Sequence, residues 1–138
     1  MKRNVVNGVT GHIYYSAGFT ADPHSVSFAD LNIKRGQAVR IDKVATIADS
    51  LGAPLAMPLT YGVARAHVDR IVKIEDREML AAMDIYQNVL RITAEPACAA
   101  ALAAILGPLR DDLAGQHVGI IACGSNISLT RYGELMGA

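Results

Sequence analysis

Apolar side chains three and four apart mark the middle of the chain. Met79, Leu80, Met83, Tyr86, Val89 and Leu90 follow Asp76, with Glu78 in the first turn. This spacing predicts an amphipathic helix of about a dozen residues or more, capped by Asp76, its apolar stripe forming core. A second helix is predicted over the alanine run 97–104, opened by Glu95 and Pro96. Proline suits the first helical position, and the small side chains permit close packing. A different pattern follows: Val118, Ile120, Ile121 and Ala122 form a nearly unbroken apolar run, which suits a strand covered on both faces of a sheet.

Upstream, the elements alternate. Residues 11–21, with Ile13, Tyr14, Tyr15 and Phe19, read as extended structure interrupted by Gly18, ahead of the loop Asp22-Pro23-His24-Ser25. The pattern leaves the order of the chain before residue 11 unspecified, so residues 1–20 are set apart as an N-terminal segment from a domain over 21–138. A short helix over 25–35 is stopped by Gly36, a brief strand is expected over 38–42, and a second short helix over 43–51 ends at Gly52. A helix with Pro58 in its first turn runs to about residue 70, with Leu59, Val63, Ala66 and His67 spaced for one buried face. Residues 71–74 form a further strand candidate.

Composition narrows the function classes. The 138 residues fit one domain or less, 51% hydrophobic content is ample for a core, and 13 basic and 13 acidic side chains leave zero formal net charge. Charges are interspersed and aromatics are sparse, so neither a nucleic-acid footprint nor a stacking platform is expected. The charged start lacks the apolar stretch of a signal peptide, which makes the cytoplasm the default compartment and a membrane partner unexpected. Cys98 and Cys123 read as buried thiols of a reducing compartment, with no disulfide framework.

The chemistry concentrates near the end of the apolar run. A small Gly124-Ser125-Asn126 turn permits close backbone approach and offers hydroxyl and amide hydrogen bonds to a ligand beyond a strand end. The same three residues also suit a plain chain reversal.

Glu95-Pro96-Ala97-Cys98-Ala99, followed by His117-Val118-Gly119-Ile120-Ile121-Ala122-Cys123-Gly124-Ser125-Asn126, resembles the C-terminal signature of threonine dehydratases and serine racemases, pyridoxal 5'-phosphate enzymes of fold type II. Weaker segments precede it in the family's order: Gly36-Gln37-Ala38-Val39, Thr46-Ile47-Ala48-Asp49-Ser50, Val68-Asp69-Arg70-Ile71-Val72 and Ile74-Glu75-Asp76-Arg77-Glu78. The resemblance runs from about residue 20 to residue 130. It implies an α/β fold, a partial three-layer α/β/α sandwich forming the C-terminal part of such an enzyme. It also implies pyridoxal 5'-phosphate as cofactor.

The resemblance assigns site residues one at a time. Cys123 falls where relatives place a serine or cysteine beside the pyridine nitrogen; a neutral partner there moderates the electron sink and favours β-elimination over transamination. Read from the residues alone, Cys123 is more often a plain buried thiol. Gly124 and Asn126 match the family's Gly-x-Asn, with Ser125 replacing a more usual glycine. Glu95 matches the Glu of Glu-Pro-x-x-Ala that faces the active centre in relatives, a reading compatible with an acidic residue favouring the helix dipole. Ser50 stands where the family has the glycine of Ala-Asp-Gly, and its side chain would crowd the pocket.

Other family features have no match. The Schiff-base lysine and the glycine-rich phosphate loop belong to an N-terminal half, and Lys2, Lys34, Lys43 and Lys73 match no such motif, reading as solvated surface charges. No catalytic residue is therefore assigned. Relatives can hold a divalent cation with a Glu-Pro glutamate and a carboxylate six residues on; Asp22-Pro23 matches the first, but position 28 is Phe28 and the nearest carboxylate is Asp30. His12, His24, His67 and His117 show no ligand spacing, and no metal site is expected.

Two functions follow from the resemblance. One is a fragment of a threonine/serine dehydratase-like ammonia-lyase, acting on a hydroxy amino acid only when completed by an N-terminal half that carries the lysine. The alternative is a non-catalytic α/β module that binds a small ligand or a protein. Either exposes apolar faces, so a homo-oligomer or a complementary half is the expected partner.

Overall fold

The computed structural model describes residues 4–6, 9–11, 14–19, 46–51, 57–68 and 70–137. Strands β1 (Asn4–Val6) and β2 (Val9–Gly11) form an antiparallel pair in which Val5 faces Thr10. Strand β3 (Tyr14–Phe19) pairs in parallel with β4 (Arg70–Glu75), in a register running from Tyr14 opposite Arg70 to Phe19 opposite Glu75. A parallel pair requires a long crossover, and residues 20–69 supply it. Gly18 does not interrupt β3; it sits inside the strand, opposite Ile74. Strand 71–74 of the sequence reading is thus β4, one residue longer at each end.

Between these strands lies α1 (Pro58–His67), with proline at its start as its missing N–H permits. It stops three residues short of the predicted end because Arg70 already belongs to β4. Leu59 is 79% exposed and Ala66 is also exposed, so the face spaced for burial is not covered there. The predicted helix over 25–35, the strand over 38–42 and the start of the helix over 43–51 lie outside the described residues.

Helix α2 (Asp76–Ile85) follows β4 without a loop and continues as one wider π turn, Tyr86–Leu90, closed by Arg91 in the left-handed region at φ 58°. The predicted cap shifts by one residue. Glu75, in extended conformation, is the N-cap, and its backbone N–H donates to Glu78 Oε2 at 2.5 Å. The stripe holds for Met79, Met83 and Tyr86, all buried, but Val89 and Leu90 are 70% and 55% exposed. The π turn explains this, because an extra residue per turn rotates later positions off the core face.

Helix α3 (Pro96–Leu106) is the predicted alanine helix, with Glu95 as N-cap and Pro96 in its first turn. It packs on α2 and on both β3 and β4. Ala99 and Ala100 are fully buried, and Val72, Ile74, Met79, Ala82, Met83, Ala103 and Leu109 complete the centre of the core. Burial of this kind yields about 25 cal/mol per Å² of apolar surface, and alanine lets the helix axes approach closely. Helix α4 (Leu129–Met136) begins at Ser128, whose Oγ accepts from Arg131 N at 3.1 Å, and Tyr132 Oη donates to the Met83 carbonyl at 3.4 Å.

The apolar run 118–122 departs from expectation. It is neither paired in a sheet nor covered: Val118, Ile120 and Ile121 are 43%, 37% and 82% exposed. The physical reason is a want of partners. Among the described residues no strand lies alongside it, and a run becomes a buried strand only when neighbours take its backbone hydrogen bonds and cover both faces.

Candidate functional site

The site is assembled at the N-terminal end of α3. Glu95 N–H donates to the Gly124 carbonyl at 3.1 Å, tying the irregular segment 117–128 to the start of the helix. Gly124 adopts φ +117°, a conformation that side chains rarely enter, and a Cβ there would lie 2.4 Å from Glu95 Oε1. Glycine is required by the backbone conformation, and the Glu95 side chain would have to shift to admit a Cβ. The Gly124-Ser125-Asn126 turn is therefore a fitted contact with the helix end.

In the first turn of α3, Cys98 is buried. Burial raises the Cys98 thiol above its ordinary pKa, and the Glu95 carboxylate and the Cys123 thiol add to the rise. Cys98 thus stays a neutral thiol at neutral pH. Cys123 is exposed, which corrects the expectation that both thiols are buried. Its side chain is open because the segment carrying it lacks the covering layer that a strand would have.

Glu95, Cys98, Cys123 and Gly124 are brought together, and two other predicted residues stand apart. Asn126 is exposed and makes no hydrogen bond among the described residues. Ser50 is exposed within a single 3-10 turn, Asp49–Leu51, where its N–H donates to Asp49 Oδ1 at 2.8 Å. That turn packs against α3, the helix that carries the cluster.

Over the described residues 46–51 the expected helix gives way to this turn, because Asp76 captures the donors before it. Thr46 Oγ1 donates to Asp76 Oδ1 at 2.7 Å and Ile47 N–H to Asp76 Oδ2 at 3.3 Å, while Ala48 N–H donates back to Thr46 Oγ1 at 3.2 Å. Asp76 was the residue whose role sequence reasoning missed. The charged string Glu75-Asp76-Arg77-Glu78 announces a helix start, but nothing in it says that one carboxylate caps a loop 29 residues upstream.

Of the lysines, Lys73 lies exposed on β4, and Lys2, Lys34 and Lys43 fall outside the described residues. Residues 22–30 and His12 and His24 fall outside them too, while His117 is exposed. Among the described residues no group of three His, Cys, Asp or Glu could hold a metal ion, and no helix is long and apolar enough to cross a membrane.

Comparison with known proteins places this geometry. Residues 18–124 match the family described as pyridoxal-phosphate dependent enzyme. Phenylserine dehydratase from Ralstonia pickettii is 36% identical over 116 residues, which make up 84% of this chain and 36% of that protein. Among solved structures, maize serine racemase superposes with TM-score 0.75 at 25% identity, over 91% of this chain and 38% of the other. The processed form of threonine deaminase isoform 2 from Solanum lycopersicum gives TM-score 0.78 at 19% identity, over 91% and 36%. The chain spans little more than a third of the length of these relatives. Its fold is the partial α/β arrangement of fold type II pyridoxal-phosphate enzymes.

Proposed function

The chain belongs to the family of pyridoxal-phosphate dependent enzymes, and we propose that it forms the pyridine-side wall of a cofactor site in a dehydratase-like ammonia-lyase acting on a hydroxy amino acid. The observation that carries this reading is the clasp between Glu95 and Gly124, which presents an exposed Cys123 at the start of α3. Pyridoxal 5'-phosphate, when bound, supplies an electron sink for the bonds at the substrate's α-carbon.

The residues present fit that group on one side. Cys123 offers an exposed thiol in place of the carboxylate that would draw a proton onto a pyridine nitrogen. Asn126, exposed two residues on, offers a carboxamide with both donor and acceptor. Ser50, on the turn packed against α3, would narrow the substrate side. Glu95 holds Gly124 in place through its backbone N–H and its side chain.

The lysine and the phosphate cradle would come from a complementary segment, and the activity belongs to the completed assembly. The exposed apolar residues Leu59, Val89, Ile121 and Leu129, each at least 70% exposed, support association with that segment or with a second copy. A stable monomer in light scattering at micromolar concentration would count against this.

Reconstitution tests the proposal. Pyridoxal 5'-phosphate added to the chain alone is expected to leave the cofactor spectrum unchanged. Co-expression with the N-terminal region of phenylserine dehydratase should give a bound-cofactor absorbance and release ammonia from phenylserine, serine or threonine. A soluble assembly that takes up the cofactor but releases no ammonia would favour a binding module, and one that takes up none would sink the site assignment.

A further inference from the structure

Helix α4 is lightly held. Its eight residues, Leu129–Met136, include no buried side chain, and Leu129 at its start is 80% exposed. A helix this short is unstable alone in water, so α4 persists through what it touches. Tyr132, Leu135 and Met136 pack on the core from one face, and Ile127 joins them from just ahead of the helix. A polar tie completes the docking: Tyr132 Oη donates to the Met83 carbonyl of α2 at 3.4 Å. Met83 is fully buried, so the accepting end of this bond is fixed in the core. Burial and then the Asp84 carboxylate raise the Tyr132 phenol above its ordinary pKa, which keeps its proton in place for that bond.

The same helix closes the segment that carries the candidate site. On one side the Gly124 carbonyl accepts from Glu95 N–H at 3.1 Å. On the other, Ser128 caps α4, its Oγ accepting from Arg131 N–H at 3.1 Å. Residues 125–127 run between these points without regular structure. Their path is set by the two ends and by the Ile127 contact that leads into the helix. We propose that Tyr132 is a positioning residue for the cofactor wall: its bond to Met83 fixes α4 and, through α4, the turn Gly124-Ser125-Asn126 and the adjacent Cys123. Without that bond α4 loosens, and the turn is free to swing about its joint with Glu95. The geometry stands on this chain alone, while the role at the site rests on the cofactor-site reading above.

The test uses Tyr132→Phe, which deletes the hydroxyl and keeps the ring against the core. On the chain alone, hydrogen exchange read by mass spectrometry should show peptides over 125–132 exchanging about fivefold faster, the factor for one neutral hydrogen bond. Peptides of α2 and α3 should keep their rates, which separates positioning from general loosening. Leu135→Ala, which weakens the same docking from its apolar side, should act in the same direction. In the assembly with the N-terminal region of phenylserine dehydratase, the slowing of Cys123 alkylation by pyridoxal 5'-phosphate is then compared. The native assembly should show protection of at least about tenfold, and Tyr132→Phe should cut that protection about fivefold. Unchanged exchange over 125–132 would overturn the hold of the hydroxyl on the segment, and equal protection in both assemblies would overturn its role at the site. Absence of protection in the native assembly would instead sink the cofactor-site reading, and this role with it.

Discussion

The stretch from β4 through α3 and the segment 117–128 both carry runs of apolar side chains, yet they end in opposite environments. Met79, Met83 and Ala99 are fully buried, whereas Ile121 is 82% exposed. The difference is one of partners. Helices α2 and α3 satisfy their own backbones and bury their faces against each other and against β4, so local periodicity suffices to place them. The segment 117–128 needs a neighbouring strand for its backbone and layers for its side chains, and the described residues provide neither. What ties it to α3 is the joint of Glu95 with Gly124, while Ile127 packs on the core near its end. A packed core thus lies beside a segment whose apolar side chains stay largely exposed.

The contrast can be broken first in the core. Met83→Ala removes a fully buried side chain between α2 and α3 and is expected to cost about 3 kcal/mol through lost burial and a residual cavity. The check is urea unfolding followed by circular dichroism.

The joint should be next in magnitude. Gly124→Ala sets a Cβ against Glu95 Oε1 and strains the φ of +117°; the expected loss is about 2 kcal/mol if the turn keeps its geometry, or a local release of the segment if it does not. Amide hydrogen exchange at Glu95, whose N–H is bonded to Gly124, distinguishes these, since release exposes that amide. Unchanged stability together with unchanged exchange would mean that the joint is not tight.

Asp76→Ala should follow, at roughly 1.5 kcal/mol, because it removes the acceptor of Thr46 Oγ1 and Ile47 N–H on a part-buried carboxylate. Its signature is local: faster exchange of the Ile47 amide and a loosened turn at Ser50, with α2 intact because its cap is Glu75. Equal loss of α2 and of the turn would contradict this division of labour.

The smallest effect is expected at Ile121. Ile121→Ser on the isolated chain should change stability by no more than about 0.5 kcal/mol, as for an exposed position making no core contact. In the completed assembly the same change should weaken association, so a thermal shift measured with and without the complementary segment sharpens the comparison from the other side.

Much of this was legible from residues. The Glu95-Pro96 pair locates the start of α3 to the residue, because helix capping acts over a few positions, while the helix runs on past the alanine run to Leu106 and β4 differs by one residue at each end. The family signature identified the cofactor class for the same reason: its motifs are contiguous. Long-range relations were not legible. That Asp76 serves the turn at Thr46 rather than its own helix, and that 118–122 is not covered, both depend on which elements the chain brings together. Ser50 and Asn126, predicted at the site, lie on exposed turns outside the Glu95, Cys98, Cys123 and Gly124 cluster, since a motif match fixes identity and not contact.

The central claim, that the segment held by Glu95 and Gly124 presents Cys123 to the cofactor, is tested most directly by the reactivity of Cys123 itself. Its alkylation rate is measured by mass spectrometry in the assembly with the complementary segment, with and without pyridoxal 5'-phosphate. The account predicts rapid alkylation without the cofactor and at least about tenfold slower alkylation with it, equivalent to about 1.4 kcal/mol of protection. Equal rates in an assembly shown by its absorbance to have bound the cofactor would contradict the claim.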